Sequence, residues 1–358
     1  MAVIKKLEIN QFRNIENQFI EPSNSVNLVI GKNAHGKTNL LEAIYYIGHN
    51  RSFKSTKIGD VVGHKHKSIQ LSANVDNKTI KLQKSTKKTL ISIDRQKIIS
   101  TSEITKLLPT QIITPDRGFI VNGSPKNKRS YLDWGVFHVK PELLAVYKSY
   151  NKALKNINIL LSKNKTSEID SWFFELSGTA KKINENRVMY IDALRRTTNN
   201  QNSLVRPNNN KGFEYSLSTG WPKEVDSLNQ SSICEYLNKH LNNFIKTKFL
   251  NFGPHKASIK FSLNKTNESL LSRGEQKQYS IIFWLTQVEM LTNKGIRPII
   301  LVDDISSELD KAKIEFLFSC LEKLNVQVFV TDIGNNLRPV IYSKQAVYKI
   351  HNGVIKQQ

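Results

Sequence analysis

Three short stretches of this 358-residue sequence carry residue types that could handle phosphate chemistry. The first, Gly31-Lys32-Asn33-Ala34-His35-Gly36-Lys37-Thr38, fits the pattern G-x-x-x-x-G-K-[ST]. Its glycines let backbone N–H groups converge on phosphate oxygens at a helix start, where the helix dipole favours negative charge. Lys37 can neutralise the β- and γ-phosphates and the Thr38 hydroxyl can hold Mg²⁺, so the motif calls for ATP with Mg²⁺. The second stretch, IILVDDISSELD at 299–310, ends an apolar run on Asp303 and Asp304. Asp303 stands where P-loop ATPases keep their Mg²⁺-binding acid, and Asp304 would face a water in line with the γ-phosphate. A helix N-terminal acid cluster capped by Ser306 or Ser307 is a compatible reading of the same residues. The third stretch, LLSRGEQKQ at 270–278, is a second Gly-bearing, serine-bearing turn far from the first.

The elements that must position these residues follow from periodicity. SVNLVI at 25–30 is a short apolar run ending at Gly31, and the next segment spaces Leu40, Leu41, Ile44 and Ile47 as a helix does. The phosphate loop thus lies between a strand and a helix. Residues 2–9 alternate as a strand, and 68–99 predicts short strands in series beside the nucleotide site. Residues 139–162 and 168–197 predict a helical hairpin turning at 162–168. A loop follows at 199–212, and a third helix spans 230–247. Strands return at 257–262, 297–304 and 326–332. The helical segment between the last two, IEFLFSCLEKL at 314–324, makes a strand–helix–strand unit and therefore parallel pairing. The pattern places an α/β ATPase domain on 1–130 and 250–358, with a mainly helical insertion over 131–249.

Net charge is +23, from 53 basic against 30 acidic residues, which points to a polyanionic partner, most simply nucleic acid. Basic residues cluster twice: Arg51, Lys54, Lys57, Lys65 and Lys67 after the first helix, then Lys126, Lys128 and Arg129. No recognition helix, zinc finger or aromatic RNA-binding pattern accompanies them, so the expected binding tracks phosphates and is salt-sensitive. No apolar run approaches the roughly 18 residues of a membrane span, and the N-terminus lacks a signal-peptide core. Cys234 and Cys320 lie far apart with no ligand-like neighbours, which argues against a metal or disulfide framework and for a reducing cytoplasm.

With the P-loop, the aspartate strand and SELD at 307–310, LSRGEQKQ resembles the signature turn of ABC-type ATPases. In that class two heads face each other and the signature of one closes on the nucleotide held by the other. The resemblance implies a homodimer with ATP, in which Ser272 and the Gly274 N–H touch the partner's γ-phosphate. Simple capping of the following helix by Ser272 is the alternative. The wider series NQFRNIENQ, HNRSFKST, ITPDRGFIVNGSPKNKRSYLDWGVFH, YNKALKNIN, GPHKA, LLSRGEQKQ and VDDISSELD resembles the RecF family of bacterial recombination mediators over essentially the whole length. Its most family-specific segment, NGSPKNKRSYLDWGVFH, contains nothing that looks catalytic. The resemblance implies a two-lobed, SMC-like, ABC-type P-loop head with a helical insertion and no long coiled coil. It implies a slow, DNA-stimulated ATPase that dimerises on ATP and binds double-stranded DNA beside single-strand gaps. It further implies help in loading recombinase with RecR and RecO, Gln111 as a Q-loop residue, Thr331 as a switch residue, and Arg13 and Arg51 as extra phosphate contacts. Arg273 agrees with the family, whereas Glu275 stands where Gln is usual. A transporter-type ABC subunit is the rival reading; it needs a membrane-coupling surface and gives no reason for the basic excess. A head without ATPase function is opposed by Gly36-Lys37-Thr38 and Asp303.

Overall fold

The computed structural model describes residues 2–63, 66–114, 119–205, 212–334, 337 and 345–358. The chain divides into two units, Met1–Phe119 with Ser280–Gln358, and Ile120–Tyr279. The first opens with β1 (Ile4–Phe12), β2 (Ile15–Ile20), β3 (Val26–Ile30) and α1 (Lys37–His49). It continues through β4 (Ser68–Val75), β5 (Lys78–Ser85), β6 (Thr89–Ile93), β7 (Gln96–Lys97), α2 (Thr101–Leu107) and β8 (Thr110–Ile113). The second unit carries α3 (Pro125–Val139), α4 (Leu143–Ser162), α5 (Ile169–Asn199), β9 (Phe213–Ser218), α6 (Gln230–Lys239), α7 (Leu241–Thr247), β10 (Ser258–Leu263) and β11 (Thr266–Asn267). Helix α8 (Arg273–Asn293) runs across the division. The first unit is completed by β12 (Ile299–Val302), α9 (Lys311–Lys323), β13 (Val328–Asp332), β14 (Gln345–His351) and β15 (Val354–Gln357).

Two sheets share the core of the first unit. One is antiparallel, in the order β2-β1-β4-β5-β6-β7; in the other, β15-β14-β3-β13-β12-β8, every pairing except β14 with β15 is parallel. β12 and β13 are buried at every residue, as apolar strands covered on both faces should be. β4 buries every second residue, because only one face of its sheet meets the core. Leu40, Leu41, Ile44 and Ile47 of α1 join Ile69, Leu71 and Ile80 of one sheet and Ile299, Leu301 and Phe329 of the other in a single cluster. The phosphate loop therefore enters a helix anchored by both sheets.

In the second unit, Ala153, Ile157 and Leu161 of α4 pack with Phe173, Leu176, Ala180 and Ile183 of α5, the expected hairpin. The single helix expected over 230–247 is two helices, broken at His240. The expected boundaries at 130/131 and 249/250 both fall inside this unit. The reason is a strand pairing across the insertion: β10 runs antiparallel to β9, with Phe261 opposite Tyr215. β10 therefore belongs with the helical residues, not with the parallel sheet.

Candidate nucleotide site

β3 pairs with β13, and β13 with β12, all parallel, so the turns that follow them lie at neighbouring carboxyl ends. That edge is where open α/β sheets bind ligands. Gly36 has φ 109°, and a Cβ there would meet the Asn14 amide at 2.8 Å, a position only glycine fills without strain. A Cβ on Gly31 would stand 2.5 Å from the Ile350 carbonyl oxygen. The His35 carbonyl accepts from the Gly353 N–H at 3.0 Å and from Asn14 Nδ2 at 3.2 Å, so the loop is braced by β1–β2 and by β14–β15. Lys32, Asn33 and Ala34 are exposed at its tip.

The motif residues converge. Thr38 Oγ1 donates to Asp303 Oδ1 at 3.0 Å and Thr331 Oγ1 donates to the same oxygen at 2.8 Å. The Asp304 N–H donates to Thr331 Oγ1 at 2.9 Å. Asp304 itself lies in the left-handed region, φ 46°, uncommon outside glycine, as the chain turns out of β12. The Lys37 ammonium donates to the carbonyls of Gly31 and Lys32 at 2.7 and 3.1 Å. Burial pulls the Lys37 pKa down, while Asp304, Asp303 and Asp332 oppose that shift. Burial raises the Asp303 pKa, countered by the bonds from Thr331 and Thr38 and by Lys54. His35 is held below the usual imidazole range by burial and then by His351, Lys32 and Lys37; its ring meets that of His351 edge-on at 4.5 Å.

Two buried oxygens at these strand ends, Asp304 Oδ1 and Thr114 Oγ1, have no hydrogen-bond partner among the described residues. Such acceptors are costly unless something satisfies them. Oxygen donors beside a carboxylate suit Mg²⁺, and the lysine-bearing glycine loop suits a triphosphate, so the residues fit ATP with Mg²⁺. Thr114 was not singled out in the sequence; it follows β8 in a register that pairs Ile113 with Val302, which sets it beside Asp303. Asp332 was also missed. It is fully buried and accepts from Ser306 Oγ at 3.0 Å and from the N–H groups of Ile333 and Leu337 at 2.9 Å, fixing the turn after Thr331. Asp310, rather than Ser306 or Ser307, caps α9.

Several expected contacts go elsewhere. Gln111 pairs with Ile300, three residues before Asp303, and donates to Gln287. At about 3.3 Å per strand residue the register sets it back from the strand ends, so it is not placed as a Q-loop residue. Arg13 is not placed as a phosphate contact: Nε and Nη2 bind the Glu42 carboxylate at 2.5 and 2.7 Å, and Nη1 binds the Asp60 carbonyl at 2.9 Å. Glu42 is fully buried on α1 and needs that cation.

The basic clusters divide in the same way. Arg51, Lys54, Lys57 and Lys67 are exposed, and Lys65 lies outside the described residues. Arg51 and Lys57 line a cleft of about 400 Å³ with Lys84, Lys87 and Lys88 of the β5–β6 hairpin, several hydroxyls and, among the described residues, no carboxylate. The hairpin lysines joined through folding, since no sequence signal linked them to Arg51. In the second unit Lys126 is exposed, but Lys128 is 4% exposed and bound to Glu268 at 2.6 Å, over the Phe261 ring. Arg129 is half-buried and donates to the Ala257 carbonyl at 3.0 Å. Lys128 and Arg129 hold the second unit together, which leaves Lys126 as the exposed member of that cluster. Ser272 and Gly274, at the start of α8, are both exposed.

A P-loop, strand-end aspartates and a threonine bonded to both of them at the carboxyl edge of a parallel sheet, with an antiparallel sheet on the same core, define an ABC-type ATPase head. The sequence matches the RecF/RecN/SMC N terminal domain family over residues 3–356. It is 32% identical to the DNA replication and repair protein RecF of Yersinia enterocolitica, covering 99% of each chain, and 32% identical to that of Haemophilus influenzae, covering 98% of each. The chain belongs to the RecF family. Its fold matches the solved structure of the recombination mediator protein RecF-ATP in the RecFOR pathway, with TM-score 0.87, 25% identity and coverage of 100% of this chain and 98% of that one. An Smc head bound to the C-winged helix domain of ScpA shares the fold at TM-score 0.58 and 17% identity.

Proposed function

We propose that this protein is an ATP-gated DNA-binding protein of replication and recombinational repair, whose hydrolysis of ATP resets an assembly. The observation that carries this reading is the cluster joining Thr38, Asp303, Thr331 and Asp304 beside the Lys37 ammonium. Thr38 and Asp303 would hold Mg²⁺, which supplies charge neutralisation to the phosphates when bound. Lys37 exchanges its loop carbonyls for the β- and γ-phosphate oxygens. Asp304 has a carboxylate oxygen that no described residue satisfies, with which to orient water. The basic cleft between Arg51 and the β5–β6 hairpin offers side chains for duplex phosphates, in keeping with DNA that is bound without base reading. Ser272 and Gly274, exposed at the start of α8, are available to a second copy, so the active dimer is one in which each signature closes on the other's ATP. RecR and RecO are the partners that the family suggests for a cytoplasmic mediator at gapped duplex. Among the described residues no helix is long and apolar enough to cross a membrane. The test is ATPase rate and sedimentation with ATP, with and without gapped duplex DNA. The reading requires ATP-dependent dimers and a rate that DNA raises. A transporter subunit would ignore DNA, and a dead head would ignore ATP.

A further inference from the structure

Glu275 stands where signature turns usually carry glutamine. The Ser272 hydroxyl donates to Glu275 Oε2 at 2.7 Å, the Ser272 N–H donates to the same oxygen at 2.8 Å, and the Glu275 N–H donates back to Ser272 Oγ at 3.3 Å. This is a reciprocal capping box, in which hydroxyl and carboxylate satisfy each other's backbone donors at a helix start. Hydrogen bonds from Ser272 hold the Glu275 carboxyl below its ordinary range, so it is anionic at neutral pH.

A serine hydroxyl has one proton to donate. In a trans signature contact, that proton faces a γ-phosphate oxygen of the partner's nucleotide. Here Glu275 already holds it, along with the Ser272 N–H, and its own anionic oxygen sits 2.7 Å from the atom that the phosphate must reach. Carboxylate and phosphate are like charges competing for one donor, and at such distances they cannot share it. The surroundings leave room for exchange: a Cβ on neighbouring Gly274 would meet nothing closer than Ser272 Oγ at 4.0 Å.

The geometry points to Glu275 as an anionic latch on the signature serine, closed over Ser272 in the unpaired head and displaced when a partner's nucleoside triphosphate docks. The inference rests on the trans-signature reading above. Glu275 acts through Ser272 and is a positioning residue. It raises the ATP concentration needed for pairing.

The experiment uses the full-length chain with Glu275→Gln, since Gln at this position still completes a capping box. Dimerisation is followed by energy transfer between labelled copies as ATP or ADP is titrated, and ATP affinity is measured separately at protein concentrations too low for pairing. Removing the latch should lower the ATP needed for half-dimerisation by roughly three- to tenfold, the effect of deleting one partly exposed like charge at close range. ATP affinity of the monomer should stay unchanged, ADP should still give no dimer, and the unfolding midpoint should move little. Ser272→Arg in the same assay separates the two readings. If Ser272→Arg blocks pairing while Glu275→Gln needs as much ATP as the unaltered chain, or more, the latch is wrong and the trans signature stands. If Ser272→Arg pairs normally, both fall. A Glu275→Gln gain matched by tighter binding of ATP to the monomer also overturns the latch, since the effect then lies at the chain's own P-loop.

Discussion

Asp303 and Asp304 are adjacent in sequence but sit in different environments. Asp303 is 7% exposed and receives both threonine hydroxyls, whereas Asp304 keeps a buried oxygen without a hydrogen-bond partner among the described residues. Asp304→Asn should therefore leave ATP binding and dimerisation intact and slow hydrolysis by about 10²- to 10³-fold, as loss of a positioned base does, so the dimer persists on DNA. Failure of that variant to bind ATP with Mg²⁺ would show that the roles are shared or reversed. Arg13 carries a different expectation from the one its position in the sequence suggested. Arg13→Ala strips the cation from fully buried Glu42 and should cost about 3 kcal/mol of stability in urea unfolding. ATP affinity at temperatures where the variant stays folded should change little. A variant of normal stability and lost ATP binding would restore the phosphate-contact reading. Lys37 and Thr38 were readable because loop, lysine and helix start are contiguous. The Arg13–Glu42 pair was not, since nothing local distinguishes an arginine aimed at phosphate from one aimed at a buried glutamate.

Helix α3 explains the family-specific segment whose purpose the sequence left open. Ser124 caps it by accepting the Asn127 N–H at 3.2 Å, and Pro125 opens the first turn. Lys128 reaches Glu268, Arg129 reaches the Ala257 carbonyl, and Asp133 binds Arg187 and the Tyr147 hydroxyl, each at 2.8 Å. These residues stitch α3 to α4, α5 and the strands of the second unit. Lys128→Ala should thus lower stability and leave DNA affinity and its salt slope alone. Lys87→Ala with Lys88→Ala should do the opposite, weakening DNA binding and flattening the salt slope by about 0.9 for each phosphate that is no longer neutralised. If the two variants exchange phenotypes in a filter-binding salt series, the assignment of the two clusters is reversed. The same unit holds two histidines, His138 and His255, whose pKa burial lowers to about 4. Unfolded, they titrate near 6.5. Their contribution is constant above that pH. Stability should decline as pH falls from 6.5 toward 4, where the unfolded chain binds protons the folded unit refuses, by up to about 3 kcal/mol for each. Urea midpoints measured across that window, with His138→Gln as comparator, test the slope.

Across the whole molecule the excess of 53 basic over 30 acidic residues sets a long-range field favouring polyanions. The proposed assembly is tested by mixing two crippled chains, Lys37→Met and Ser272→Arg. Each homodimer carries a lesion in both composite sites. In the mixed dimer both lesions fall in one site, and the other combines an intact P-loop with an intact signature. ATPase activity should return on mixing and peak near equal amounts. Heterodimers that form by energy transfer yet hydrolyse nothing would indicate that both sites must close together; absence of both pairing and activity would remove the trans arrangement.

Contiguous patterns decided a large part of this protein. The glycine loop between an apolar strand and an amphipathic helix, the aspartates ending a buried strand, and the helical spacing of 139–162 and 168–197 each depend on residues within a few turns of one another, so chain order alone encodes them. Contacts between distant residues had no such encoding. Thr331 and Asp303 meet because β13 and β12 run in parallel register. The same kind of register sets Gln111 back from the strand ends and brings Thr114 beside Asp303. β10 left the parallel sheet for β9 because antiparallel pairing there buries Phe261 and Tyr215 together. A lysine such as Lys128 looks the same in sequence whether water or Glu268 surrounds it. Which one does depends on a carboxylate 140 residues away and on the free-energy cost of burying either charge without the other.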